Sequence, residues 1–171
     1  HLTLSGRYNR TRVQTIDDGR ITLGLPTTLD NDYRYTKFNP AVGMTFKLSP
    51  AMTVYGGVSQ GNRAPSPIEL GCSDPNNACV LPNALQADPP LNQVVSRTLE
   101  AGLRGNVAGV RWNVSGYSTR NRDDILFISN SLAAGYFTNF GRTQRQGLEL
   151  DASGSGAGFD WGVAYSFLKA T

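Results

Sequence analysis

Apolar and polar side chains that alternate at a spacing of two, in run after run, constrain this chain more than any other feature of its sequence. Leu2, Leu4 and Tyr8 alternate with Thr3, Ser5, Arg7 and Asn9. Val42, Met44, Phe46 and Leu48 share one side of a run whose other side carries Ala41, Gly43, Thr45 and Lys47. The pattern recurs at Met52–Val58, Leu99–Leu103, Trp112–Val114, Leu148–Ala152 and Trp161–Phe167. Such a period puts successive side chains on opposite faces of an extended strand. It predicts about seven antiparallel strands, several longer than the roughly 5–6 residues usual in soluble sheets. Runs of about 9–11 residues suit a strand that crosses a membrane at a tilt. A soluble sandwich alternates too, so the period alone leaves both open.

The connections divide those possibilities. Ser49–Ala51, Asn106–Gly109 and Gly154–Gly158 are tight, whereas Thr15–Asn31, Arg63–Asn92 and Ser129–Gly135 are longer and irregular. Short and long alternate, as they do where one end of a membrane barrel carries turns and the other carries loops. Compact soluble domains rarely hold a structureless connection as long as the second of these. The expected class is all-β: an up-and-down meander of about seven strands.

Composition then excludes other classes. Charged residues are 17% of the chain, below the roughly 25% of soluble proteins. No run approaches the roughly 18 apolar residues of a membrane helix, but alternating barrel strands hide from average hydropathy. The net charge is +3 and the basic residues are scattered along the sequence; no Lys/Arg block points to nucleic acid. The polar sides of the runs carry Lys47, Glu100, Arg104, Arg111, Glu149 and Asp151. A dry core cannot hold so many charges unless all are paired. A wide, hydrated lumen can, which points to part of a large barrel and not a small one packed with side chains. Tyr8, Phe46, Trp112, Trp161 and Phe167 fall near predicted strand ends. They fit either an interfacial aromatic girdle or a sandwich core.

Three phrases carry a family resemblance. The first runs from Phe38-Asn39-Pro40-Ala41-Val42-Gly43 through Lys47-Leu48-Ser49-Pro50 to Val54–Gly61, and on to Asn62-Arg63-Ala64-Pro65-Ser66-Pro67-Ile68-Glu69-Leu70. The second is Asn121-Arg122-Asp123-Asp124-Ile125, and the third Tyr136–Leu150 with Gly147 and Glu149. In this order they resemble the barrel of TonB-dependent receptors, with Asn62 where an aromatic is commoner. The resemblance covers roughly residues 36–171. It implies a 22-stranded barrel closed by a plug domain, energised through TonB, in the outer membrane of a Gram-negative bacterium. Imported substrates in that family include ferric siderophores, vitamin B12 and glycans, and a siderophore is the default expectation.

On that reading residues 1–171 are a partial barrel domain without plug, TonB box or the remaining strands. His1 and Thr171 both read as lying in or just after strands of a longer protein. Outer-membrane lipid, the plug, the TonB complex and a small-molecule substrate are the expected partners. The Arg63–Asn92 loop is the expected ligand-facing element, through Arg63, Glu69, Asp74, Asn76, Asn77 and Asn83. Cys72 and Cys79 within it have the spacing of a local disulfide, which an oxidising cell surface permits. A metal site needs more ligands, and His1 is the one histidine, so neither metal nor cofactor is expected. Lumen-side Glu100 and Glu149 either pair with Arg104, Arg142 or Arg145, or with the plug, or are simply solvated.

No nucleophile–base pair suggests an enzyme. Asp123 and Asp124 are adjacent, so in a strand they face opposite ways, and a rim salt bridge is the plainer role. Two other functions compete with transport. A small closed barrel or sandwich with a structural or adhesive role predicts that the apolar faces meet in one core. A barrel enzyme needs catalytic groups that the sequence does not offer.

Overall fold

The computed structural model describes residues 1–16, 22–24, 31–76, 78–79, 90–130, 134–156 and 158–171. Its strands are β1 (Leu2–Thr15), β2 (Asn31–Ser49), β3 (Met52–Arg63), β4 (Val94–Val107), β5 (Val110–Ser129), β6 (Gly135–Gly156) and β7 (Phe159–Ala170). One short helix, α1 (Pro67–Leu70), interrupts the β3–β4 connection. The strands form one antiparallel sheet in the order β1-β2-β3-β4-β5-β6-β7. Each therefore pairs with its neighbours in sequence, and β1 and β7 are the two edges.

The tight connections follow from local chemistry. Val107 pairs with Val110, leaving Ala108 and Gly109 as a two-residue turn with φ of 51° and 80°. Two successive positive φ values match the twist of a hairpin, and Gly109 takes the second at no steric cost. Pro50 and Ala51 make the β2–β3 turn, where Ser49 Oγ accepts from the Ala51 N–H at 3.3 Å. The Asn106 N–H then donates to the Ala51 carbonyl at 3.0 Å, tying one turn to the next.

Cross-strand pairing continues the faces from strand to strand. Leu2 opposes Met44, Met44 opposes Gly56, Gly56 opposes Ala101, Ala101 opposes Gly116, Gly116 opposes Leu148, and Leu148 opposes Phe167. This face is apolar and open: Leu4 is 70% exposed, Met44 58% and Val163 67%. Val54 and Trp112, on the same face, are half-buried by their neighbours. The apolar face meets no shared core, and every residue of β7 is exposed. The accessible surface is 11379 Å², against about 8,200 Å² for a compact monomer of this mass. A soluble barrel or sandwich would bury these rows in a shared core, and this open sheet, with β1 and β7 as its edges, does not.

Glycines on the sheet act as seats for aromatic rings. Gly102 opposes Tyr55 and Gly147 opposes Tyr117 on the polar face, while Gly105 opposes Trp112 and Gly154 opposes Trp161 on the apolar one. A Cβ added at Gly147 would come within 2.5 Å of the Tyr117 ring. The bare backbone lets the ring lie flat across the strand.

One seam departs from the regular ladder. Pairing of β2 with β3 stops at Ala41–Ser59, although both strands continue. Thr36, Phe38 and Pro40 direct their backbone groups toward β3, and Pro40 has no N–H to donate there. Side chains bridge the gap instead. Gln60 Nε2 donates to the Phe38 carbonyl and Gln93 Nε2 to the Thr36 carbonyl, both at 2.9 Å. Asn62 Oδ1 accepts from Asn9 and Asn39 at 2.7 Å each, and Asn62 Nδ2 donates to Gln93 at 2.8 Å.

Candidate functional site

The polar face alternates with the apolar one on every strand. The register places Lys47, Glu100, Arg104, Arg111, Glu149 and Asp151 together on it. Asn113 links two of its rows, accepting from the Tyr55 hydroxyl at 2.9 Å and donating to Asp151 at 3.0 Å. The Arg104 guanidinium lies 5.5 Å from the centre of the Tyr55 ring, within cation–π range. Among the described residues, Glu100 and Glu149 enter no ion pair, which favours solvation over pairing within this sheet. Arg142 corrects the sequence reading. It opposes Arg122 on the apolar side, because seven residues separate it from Glu149 and an odd spacing reverses the face.

Asp123 and Asp124 lie inside β5, not at a strand-to-loop junction. Asp123 has φ of 54°, a left-handed conformation that Asp tolerates better than most residues. Asp124 makes no salt bridge among the described residues. Its carboxylate accepts from Thr143 Oγ1 at 2.6 Å and from Asn121 Nδ2 at 3.1 Å.

The long-loop end is built differently. After β3, Ser66 caps α1: its Oγ accepts from the Glu69 N–H at 3.3 Å, and Glu69 Oε2 accepts from the Ser66 N–H at 2.7 Å. This reciprocal box, with Pro67 in the first turn, fixes the chain as it leaves the strand. Arg63 donates two hydrogen bonds to Glu69, at 2.7 and 3.0 Å. Burial pushes the Glu69 carboxyl up, but the Arg63 and Ser66 hydrogen bonds outweigh it and hold it below the usual glutamate range. Arg63 and Glu69 thus lock each other within the loop. Asp74 Oδ1 accepts from the Asn76 N–H at 2.8 Å, closing an Asx turn. Asn77 and Asn83 lie outside the described residues.

Cys72 and Cys79 are joined in a disulfide with their Cα atoms 5.5 Å apart, and both are fully buried. Their backbone continues the stitching. The Cys79 N–H donates to the Gly135 carbonyl at 2.9 Å, the Gly135 N–H to the Cys79 carbonyl at 3.1 Å, and the Phe137 N–H to the Cys72 carbonyl at 2.6 Å. The disulfide segment is thereby sewn to the start of β6. The return segment is clamped too. The Asn92 N–H donates to Asn139 Oδ1 at 2.7 Å, Asn139 Nδ2 donates to the Asn92 carbonyl at 3.1 Å, and Tyr35 donates to the Leu91 carbonyl at 3.1 Å. Beneath lies a small core of Val13, Leu70, Leu91, Val94 and Ile125, with Tyr33, Tyr35 and Phe137 packed against it. Val13, Tyr33, Tyr35 and Val94 belong to the polar face by register, so the loop folds over that face. A cleft of about 510 Å³ opens beside it, lined by Tyr33, Tyr35, Lys37, Asn92 and Gln93 among others.

An open meander, apolar on one side and charged on the other, with a capped loop at one end, is the geometry of a barrel wall. A family model described as TonB dependent receptor-like, beta-barrel, matches residues 1–171. The chain belongs to the TonB-dependent receptors. Members of this family are transporters of the Gram-negative outer membrane. No curated protein sequence matches. Solved structures do, with similar folds. The copper transporter OprC is 23% identical, with a TM-score of 0.72 over 99% of this chain and 26% of its own. The FrpB iron transporter from Neisseria meningitidis (F3-3 variant) is 22% identical, with a TM-score of 0.66 over 99% of this chain and 23% of its own. The siderophore receptor PirA from Pseudomonas aeruginosa is 14% identical, with a TM-score of 0.65 over 82% of this chain and 30% of its own. The chain thus spans about a quarter of these TonB-dependent receptor structures, and its seven-stranded meander is consistent with a 22-stranded barrel.

The sequence missed three parts of this site: α1, the Asn139 clamp and the core under the loop. Ser66-Pro67-x-Glu69 is a capping-box signature that could have found the helix. Nothing local marks the clamp or the core, because their members come from β1, β2, α1, β4, β5, β6 and the segment before β4.

Proposed function

We propose that residues 1–171 are a section of barrel wall in a receptor for energised uptake of a scarce nutrient across the outer membrane, with a ferric siderophore as the substrate class. The observation that carries this is the two-faced open sheet. Its exposed apolar rows suit lipid, and Lys47, Glu100, Arg104, Arg111, Glu149 and Asp151 suit a wet lumen facing the plug. Strands of about 9–11 residues cross a membrane, and β5 and β6 run to 20 and 22 residues. Their excess would stand outside the hydrocarbon, where the loop presents its ligand-facing groups. Arg63 and Glu69 act there as a frame, while Asp74, Asn76, Asn77 and Asn83 are the groups proposed toward a ligand. The role is transport without catalysis, energised by the TonB complex through the plug.

Uptake by the whole receptor tests this. Cells lacking the native gene and carrying the full-length receptor should accumulate ⁵⁵Fe from a ferric siderophore panel only when TonB is present. Uptake that is unchanged without TonB overturns energised transport. TonB-dependent uptake of another nutrient, with none of any ferric siderophore, overturns the substrate class alone.

A further inference from the structure

On the long-loop side a cationic patch interrupts the apolar face of β4, β5 and β6, and beyond it Leu126, Ile128 and Phe140 are again exposed on the same face. On β4, β5 and β6 the rows beyond Val58 and Leu99 bring in Arg97, Arg120, Arg122 and Arg142. Arg97 stands directly opposite Arg120, and Arg122 directly opposite Arg142. All four are exposed. They rim a shallow groove of about 260 Å³ whose lining includes Val58, Leu99 and Ser118. Lys169 of β7, opposite Gln146, adds a fifth cation to this face.

Like charges directly opposed across a ladder destabilise a sheet, and the usual relief is a carboxylate. On the strands around this groove the carboxylates face away: Glu100, Glu149 and Asp151 alternate to the polar side, and Asp124 is held by Thr143 and Asn121. Among the described residues Arg97 donates to Gln60 Oε1 at 2.9 Å, and none of the four arginines enters an ion pair. The contrast lies on the same face of β1 and β2, where Arg12 and Arg34 share Asp32 at 2.7 and 3.4 Å.

We propose that this groove binds the phosphorylated headgroup of a lipid in the leaflet on the long-loop side, with its acyl chains lying on the apolar rows below. This rests on the reading of the apolar face as lipid-facing. Guanidinium groups match phosphate oxygens in paired hydrogen bonds, and two opposed arginine pairs offer room for more than one phosphate. Val58 and Leu99 connect the groove directly to the apolar band. An acidic protein segment would answer the charge but would leave those rows unused.

The test uses the full-length receptor purified in mild detergent, with bisphosphorylated lipid A and its dephosphorylated form as probes, read by native mass spectrometry. The phosphorylated form should be retained about tenfold or more over the other. R97Q/R120Q/R122Q/R142Q should abolish the preference, while R12Q, at the other cationic cluster, leaves it intact. Heat-modifiable gel mobility of the same samples reports whether the barrel forms. A barrel that forms yet retains both lipids equally overturns the lipid site and leaves the barrel reading standing. A wild-type chain that fails to form a barrel overturns both. Displacement of the lipid by inorganic phosphate at matched phosphate concentration overturns the lipid in favour of a soluble anion. If the fourfold variant does not fold, R97Q/R120Q and the wild-type comparison of the two lipids decide.

Discussion

The tight-turn half of the sheet and its long-loop end obey different rules of stability. Near the turns, apolar side chains point outward and are largely uncovered by the described residues. On the proposed reading, that half gains its hydrophobic stabilisation from lipid, and within the chain it is held by its ladders. At the other end the strands enclose a small core, a capped helix and a disulfide, as a water-soluble protein would. One sheet can therefore be half membrane protein and half soluble protein. The change-over is marked by charge: Arg97, Arg120, Arg122 and Arg142 interrupt the hydrophobic rows.

The largest effect should come from breaking the apolar band. Val114→Arg, in its middle, is expected to cost about 2–4 kcal/mol of folding free energy in vesicles. Asn113→Lys, one residue away on the polar face, should cost far less. Equal losses in urea titrations of the full receptor would erase the distinction between faces. Next is Leu70→Ala, which empties part of the small core at a cost of about 2–3 kcal/mol. Hydrogen exchange should rise around α1 and the start of β6 while β3–β4 near the turns stays unchanged. Reducing Cys72–Cys79 should release about 2–2.5 kcal/mol of loop constraint, seen as faster proteolysis between Arg63 and Val94 with an intact barrel.

The smallest effect is pH-dependent. Glu69 is held below its ordinary range, so its contribution is fully present above the unfolded glutamate value of about 4.3. It is lost as pH falls through the lower folded value. Exchange of the α1 amides should rise on acidification in the wild type, and Glu69→Gln should remove that pH dependence. Added salt should weaken it, since Arg63 is half exposed.

The faces of the sheet were legible because parity needs no partner. Counting in twos from Val42 or Leu99 assigns each strand residue a side, and the six polar-face charges fall together for that reason. The same count assigns Arg142 to the opposite side from Glu149; chemical complementarity suggested a pair that geometry forbids. The arginine groove was less legible. Its members are scattered over three strands, and only Arg120-x-Arg122 shows a shared face within one. The other two enter through register, which is set by turn lengths and pairing. The small core was illegible for a related reason. Val13, Leu70, Leu91, Val94 and Ile125 meet through a loop whose path no periodicity describes. The disulfide was readable because it closes over a separation of seven residues.

The seam above Pro40 has a mechanical consequence. Where backbone ladders are continuous, a load along the wall is shared by many parallel bonds and must shear them together. Between β2 and β3 beyond Ala41–Ser59, the load falls on the side-chain amides of Gln60, Asn62 and Gln93. These sit on rotatable stems and can lengthen or release one at a time. The wall would therefore yield more readily along this line than on either side of it, so bending would concentrate where side chains replace the β2–β3 ladder.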